Sequence, residues 1–168
     1  MKTLSTTVAT ASVILGASLL VATPASAEER ICRGTIGAVT LDNVKVPSGA
    51  TCTLKGTRVK GNIVVNSKAT LRANGAVVNG NIQSEGHRLV VVNNTRVGGS
   101  IQLKQGGGLT VSANKVEGDV QIFSNKSGTK TIRNNRIDGN LQCKSNTPAP
   151  IGSGNVVDGN KEDQCRRL

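Results

Sequence analysis

The sequence predicts an all-β chain: a single-stranded parallel β-helix, or solenoid, with about 19 residues per coil. Three observations carry this. A five-residue pattern recurs at a near-constant interval. Apolar residues alternate within short segments, and the alternation breaks between them. Four cysteines fall into two pairs, each pair separated by about one coil.

The chain opens with Met1-Lys2, then an apolar stretch from about Val8 to Val21, then Thr23-Pro24-Ala25-Ser26-Ala27. A positive start, a short apolar core and small residues at the end are the marks of a secretory signal, with cleavage expected before Glu28. The apolar core is too short to span a bilayer comfortably and runs into a proline. Residues 1–27 therefore read as a signal peptide, and residues 28–168 as one solenoid domain with disulfide-pinned ends. The expected location is secreted, extracellular or associated with a bacterial cell wall. No later apolar run is long enough to cross a membrane after the signal is removed.

Of the 21 basic residues only Lys2 lies in the signal, so 20 Lys and Arg face 10 Asp and Glu in the rest. The exported part is strongly basic. Its one aromatic residue is Phe123. An ordinary globular core uses several aromatics, so something else must hold this fold together.

The repeat supplies it. The pattern V-x-G-[N/S/D]-[I/V/L] appears as Val59-Lys60-Gly61-Asn62-Ile63, then around Gly80, Gly99, Gly118 and Gly139, and in degraded form around Gly159. Successive anchor glycines are 19, 19, 19, 21 and 20 residues apart. Such a period marks a repeat architecture. Two residues before each glycine stand Val59, Val78, Val97, Val116, Ile137 and Val157; two after it stand Ile63, Ile82, Ile101, Val120 and Leu141. Further apolar columns run through Leu54, Ala73, Val92, Val111 and Ile132, and through Cys52, Leu71, Val90 and Leu109. Alternation within a segment is the strand period. Gly and Asn at the breaks suit corners that need unusual backbone angles. Each repeat reads as one coil of two or three short strands. Stacked at about 4.8 Å, roughly seven coils make a rod about 30 Å long, with Val, Ile and Leu columns inside. A period of 19 to 21 with irregular corners suits a right-handed helix better than a left-handed hexapeptide solenoid of roughly 18 residues per coil.

The cysteines fit this geometry. Cys32 and Cys52 are 20 residues apart, and Cys143 and Cys165 are 22 apart. A disulfide wants Cα atoms about 4.4–6.8 Å apart, the distance between adjacent coils. The spacing predicts Cys32–Cys52 and Cys143–Cys165, because the other pairings join opposite ends of the rod. Pro148-Ala149-Pro150 and Lys161-Glu162-Asp163 read as irregular tails over the C-terminal end. No close cysteine pair of the zinc-binding kind occurs.

Outward positions form columns too. Gln83, Gln102, Gln121 and Gln142 stand three after the glycine and predict an amide ladder. Three before it stand Arg58, Val77, Arg96, Lys115, Arg136 and Val156. Arg58, Arg96, Lys115 and Arg136 are the candidate binding residues. Like charges about 5 Å apart repel, and a row of them suits a polyanion such as a wall polymer or an acidic polysaccharide. Nucleic acid is disfavoured, because no aromatic platform accompanies the charges.

Catalytic residues are not expected. His87, in Ser84-Glu85-Gly86-His87-Arg88, reads as a surface loop residue. No G-x-S-x-G elbow is present, and Gly106-Gly107-Gly108 reads as a corner insert rather than a phosphate loop. The ten acids read as scattered, whereas glycan cleavage needs paired carboxylates. No cofactor or metal is called for.

The V-x-G-N-I coils, over about residues 40 to 160, are similar to the bactofilin-type β-helix, a polymer-forming module. The ending from Gly139-Asn140-Leu141-Gln142-Cys143 to Gly159-Asn160-Lys161-Glu162-Asp163-Gln164-Cys165 resembles uncharacterised secreted β-helix proteins of actinobacteria. The second resemblance implies a β-helix at the cell surface and no known activity. Bactofilins are typically cytosolic with uncapped ends; this chain has an export signal and cysteines at both ends. The expected function is a non-catalytic structural or binding solenoid at the bacterial surface that holds an anionic polymer. The alternatives are a carbohydrate-active enzyme of the pectin-lyase-like kind and a self-associating bactofilin-like module.

Overall fold

A computed structural model describes residues 28–168. The expected signal peptide, residues 1–27, lies outside them. The described residues form strands, turns and no helix, so no helix is long and apolar enough to cross a membrane. The strands fall into three parallel sheets that wind as a solenoid of about seven turns.

The first sheet has eight strands, from Glu29–Ile31 to Lys161–Asp163. The second has six, from Gly34–Ile36 to Lys130–Arg133. The third has seven two-residue strands, from Thr40–Leu41 to Val156–Val157. Each of the first six coils contributes one strand to each sheet, in that order. Ile82 stands beside Ile101, and Val90 beside Leu109, so the repeat in sequence is the register in space.

The core is the set of columns read from the sequence. Val59, Val78, Val97, Val116 and Ile137 are buried, as are Ile63, Ile82, Ile101, Val120 and Leu141. A strand residue turned inward forces its neighbours outward, which places the columns beside them in solvent. Polar residues are buried as well, Ser84 and Lys130 among them. Ser84 donates its hydroxyl to the Val65 carbonyl at 2.9 Å. Lys130 follows Leu109 in its column and is fully buried. Its ammonium donates to the carbonyls of Ser127, Gly128 and Thr147 at 3.0, 2.9 and 2.7 Å, which uses all three N–H groups. Burial, then the charge of Lys126, holds its pKa below the usual lysine range.

The anchor glycines turn out to have a different reason from the one expected. None of them has a positive φ. A Cβ on Gly80 would stand 2.6 Å from the Gly61 carbonyl oxygen, and one on Gly118 2.9 Å from that of Gly99. The coils stack too closely there for any side chain. The left-handed backbone lies at the two other corners. One carries Gly56, Gly75, Asn94, Ala113, Asn134 and Gly154, and the other includes Lys68, Gly86, Gln105, Ser124 and Ser145.

Three polar ladders tie the corners together. At the anchor corner the backbone N–H of Asn62, Asn81, Ser100, Asp119, Asn140 and Asn160 each donates to the side-chain oxygen one coil earlier, at 2.7–3.0 Å. A second ladder is buried: Asn114 donates to Asn135 Oδ1 at 3.0 Å, and Asn135 to Asn155 Oδ1 at 2.8 Å. A third runs through Asn125, Asn146 and Gln164. In these two, the backbone N–H points to the following coil. A buried amide whose donors and acceptor are all used replaces backbone partners that a corner would otherwise lack.

Both expected disulfides form, with Cα separations of 5.5 Å for Cys32–Cys52 and 5.2 Å for Cys143–Cys165. One expectation at the C-terminal end is corrected. Lys161–Asp163 is not an irregular tail but the last strand of the first sheet, paired with Leu141, Gln142 and Cys143. Ile151, next to Pro150, bridges to Thr131 and continues the second sheet. The turn after Asp163 carries Cys165 inward, with Leu168 against the core.

Candidate functional site

The four candidate cations lie where alternation puts them, on the outer side of the third sheet. Arg58, Val77, Arg96, Lys115, Arg136 and Val156 are in register in successive coils. Arg96, Lys115 and Arg136 are thus direct neighbours, while Val77 separates Arg58 from them.

Not all of these cations are free. Arg96 reaches Glu117 at 2.6 Å, and Arg136 reaches Asp158 at 2.8 Å and Asp138 at 3.5 Å. All these groups are well exposed, so each pair contributes between nothing and about 1 kcal/mol. Their effect is on charge. Among the described residues, Lys115 and Arg58 have no carboxylate partner. The reading of the acids as scattered is corrected for three of them. Glu117, Asp138 and Asp158 occupy one position in successive coils, with their N–H groups bonded to Val97, Val116 and Ile137. They form a column beside the arginines and are held by them.

The acids as a set show a partition that reading column by column missed. All ten lie in the first sheet, just before it, or in the corner that leads into it: Asp42, Glu117, Asp119, Asp138 and Asp158 are the corner members. No strand of the second or third sheet contains an acid, nor does any segment joining the first sheet to the second or the second to the third. Twelve of the 20 basic residues lie in that acid-free part, leaving eight beside the ten acids. The rod has one cationic side and one roughly balanced side. The signal was in the sequence: relative to its anchor glycine, every acid from the first anchor onward falls between one before it and five after.

The cationic side extends beyond the predicted column. Lys55, Arg72 and Arg133 point outward from the second sheet, and Arg88 from the corner before it. Arg88 lies along the stack, donating from Nε to Thr70 Oγ1 at 3.1 Å and from its guanidinium to Thr51 at 3.4 Å. Arg133 does the same toward Ser112 Oγ at 3.4 Å. Hydroxyl groups of neighbouring coils thus engage both guanidinium groups.

The first sheet has another character. Its glutamine column forms only half of the expected ladder. Gln121 donates to Gln142 at 2.9 Å, and Gln142 to Glu162 at 2.9 Å. Gln83 and Gln102 lie beyond the end of that chain. There the face is hollowed into a concavity of about 380 Å³, lined by Gln83, Gln102, Asn66, Ser67, Glu85 and Lys104 with Val64 at its base.

His87 is corrected outright. It is not a surface residue but is buried, only 2 % exposed. It stands one coil before Gly106, and a Cβ on Gly106 would collide with its ring. The glycine leaves room for the imidazole. Neither ring nitrogen has a partner among the described residues. Burial pushes its pKa down to about 4, and the charge of Lys130 adds to this. Among the described residues no three His, Cys, Asp or Glu side chains gather as metal ligands.

No family model, no curated protein and no solved structure matches this chain.

Proposed function

We propose that the protein is a secreted, non-catalytic β-solenoid that holds an anionic polymer, a wall polymer or an acidic polysaccharide, along its acid-free side. One observation carries the reading: eleven exposed basic residues, besides the buried Lys130, and no acid in the second and third sheets and the segments that lead into them. Stacked coils repeat a cation about every 4.8 Å or a small multiple of it, which matches a polymer with regularly spaced charges better than a compact ligand. A field of one sign concentrates and orients such a chain. Lys115, Arg58, Arg72 and Lys55 offer unpaired charge; Arg88 and Arg133 offer guanidinium groups engaged by hydroxyls of neighbouring coils. Export is supported by the signal-like start and by two disulfides, which persist in oxidising compartments. Nucleic acid is a poorer fit, since Phe123, the one aromatic, stands on the first sheet.

The test is retention of the purified chain of residues 28–168 on isolated cell walls and on a soluble acidic polysaccharide, across a salt series. Retention should fall steeply as salt rises, and Arg72→Glu with Lys115→Glu should abolish it. No retention at low salt, or retention indifferent to that double reversal, overturns the reading.

A further inference from the structure

The hollow on the first sheet is a second site of different chemistry. The chain of amide hydrogen bonds that runs from Gln121 to Gln142 and Glu162 stops before Gln102. Among the described residues, neither Gln83 nor Gln102 has its side-chain amide bonded to a protein group, although both are half buried. Val64 takes the next place in the same column, in register with Gln83, and its shorter side chain leaves the concavity open at its base. Across the hollow, Glu85 and Lys104 are in register yet form no ion pair. Lys104 instead lies 5.9 Å from the centre of the Phe123 ring. Among the described residues, the Glu85 carboxylate has no ion-pair partner.

We infer that this hollow binds a short stretch of a neutral, linear polysaccharide, running along the rod axis with about one sugar ring per coil. Several features favour that class. Two free amides, Asn66 and Ser67 offer donors and acceptors in pairs, which is what adjacent sugar hydroxyls require. One carboxylate and one ammonium cancel, so a charged chain gains nothing. The surrounding side holds all ten acids of the described chain against eight bases, which disfavours the polyanion assigned to the opposite side. Amides half withdrawn from water and not bonded to one another lose little when a ligand replaces their solvent. The volume is at the lower end of the range for small-ligand sites. The site stands independently of the cationic side, and together they would make the rod a two-sided connector.

The experiment is titration of the isotope-labelled chain with cello- and chito-oligosaccharides, observed through the side-chain amide signals of its glutamines by NMR. Gln83 and Gln102 signals should move, those of Gln142 should not, and the affinity should change little with salt. Gln83→Ala with Gln102→Ala should weaken binding by roughly tenfold or more. Val64→Lys, an outward change that fills the base of the hollow, should block it without touching the core. Arg72→Glu should leave it unchanged. No shift with either sugar series, or binding undiminished in both variants when followed through the backbone amides of the first sheet, overturns the inference. Loss on Arg72→Glu would assign the sugar to the cationic side instead.

Discussion

Arg96 reaches past its in-register neighbour, Lys115, to the Glu117 carboxylate at 2.6 Å, and so leaves Lys115 with no acid of its own. The pairing runs between coils, 21 residues apart in sequence. A reader of the sequence would give Glu117 to Lys115, two residues away. The difference matters because it decides which cation of the column is available to a ligand.

Glu117→Gln follows directly. It frees Arg96 without adding bulk and makes Arg96 and Lys115 adjacent unpaired cations. Retention on an acidic polysaccharide at low salt should rise by roughly two- to tenfold, and the gain should fade as salt screens it. Stability should fall by less than about 1 kcal/mol, since the pair is exposed. Both numbers come from one preparation, by binding isotherm and urea melt. Unchanged or weaker retention would remove the third sheet from the contact surface.

The apolar columns were legible because each coil buries the same position on the next, and repetition makes the position visible. Val97 is read as buried because Val78 and Val116 are. The buried amides were harder. Asn114, Asn135 and Asn155 share one position, but Thr57, Ala76 and Thr95 occupy it in earlier coils, so it looks like a variable corner. Its meaning appears only once stacking shows Asn114 donating to the Val92 carbonyl and accepting from Thr95 N–H. The glutamine column failed in the opposite way. Identity at four positions predicted one ladder, whereas side-chain geometry links only Gln121 and Gln142, and the break at Gln102 is what makes a site.

His87 gives a prediction about acid. Its pKa falls from 6.5 to about 4 on folding. Between those values the unfolded chain binds a proton that the folded chain refuses, so stability decreases as pH falls through that window and levels off below about pH 4. The loss is of the order of 3 kcal/mol. What opposes the charged ring is burial first, then Lys130, whose ammonium is fixed by three carbonyls. Urea unfolding of the chain and of His87→Leu at pH 7.5 and pH 4.5 separates this from every pH effect the two proteins share. The stability difference between the two proteins should shift toward His87→Leu at the lower pH. A difference independent of pH would mean that the imidazole is not held neutral.

The ends of the rod argue against filaments. The outermost strands leave unpaired edges, with Ile31 and Val39 exposed at one end and Ile151 and Val156 at the other, and such edges recruit other chains unless something opposes them. Here the inner column of the first sheet supplies the opposition. It runs Arg30, Val44, Ile63, Ile82, Ile101, Val120, Leu141, Lys161, apolar throughout and cationic at both ends. Coaxial stacking in register would set Lys161 of one copy against Arg30 of the next, two like charges in an interior column with no acid to answer them. Burying unpaired charge outweighs what a few edge hydrogen bonds return. The chain should therefore sediment as a monomer over a wide concentration range. Arg30→Val with Lys161→Val should convert it to concentration-dependent, end-to-end oligomers. Lys161 also donates to the Asn155 carbonyl at 2.7 Å, so the variant should lose about 1 kcal/mol of monomer stability, too little to unfold a rod closed by two disulfides. A wild-type chain that polymerises, or a double variant that stays monomeric, would show that the terminal charges are not what keeps the ends apart.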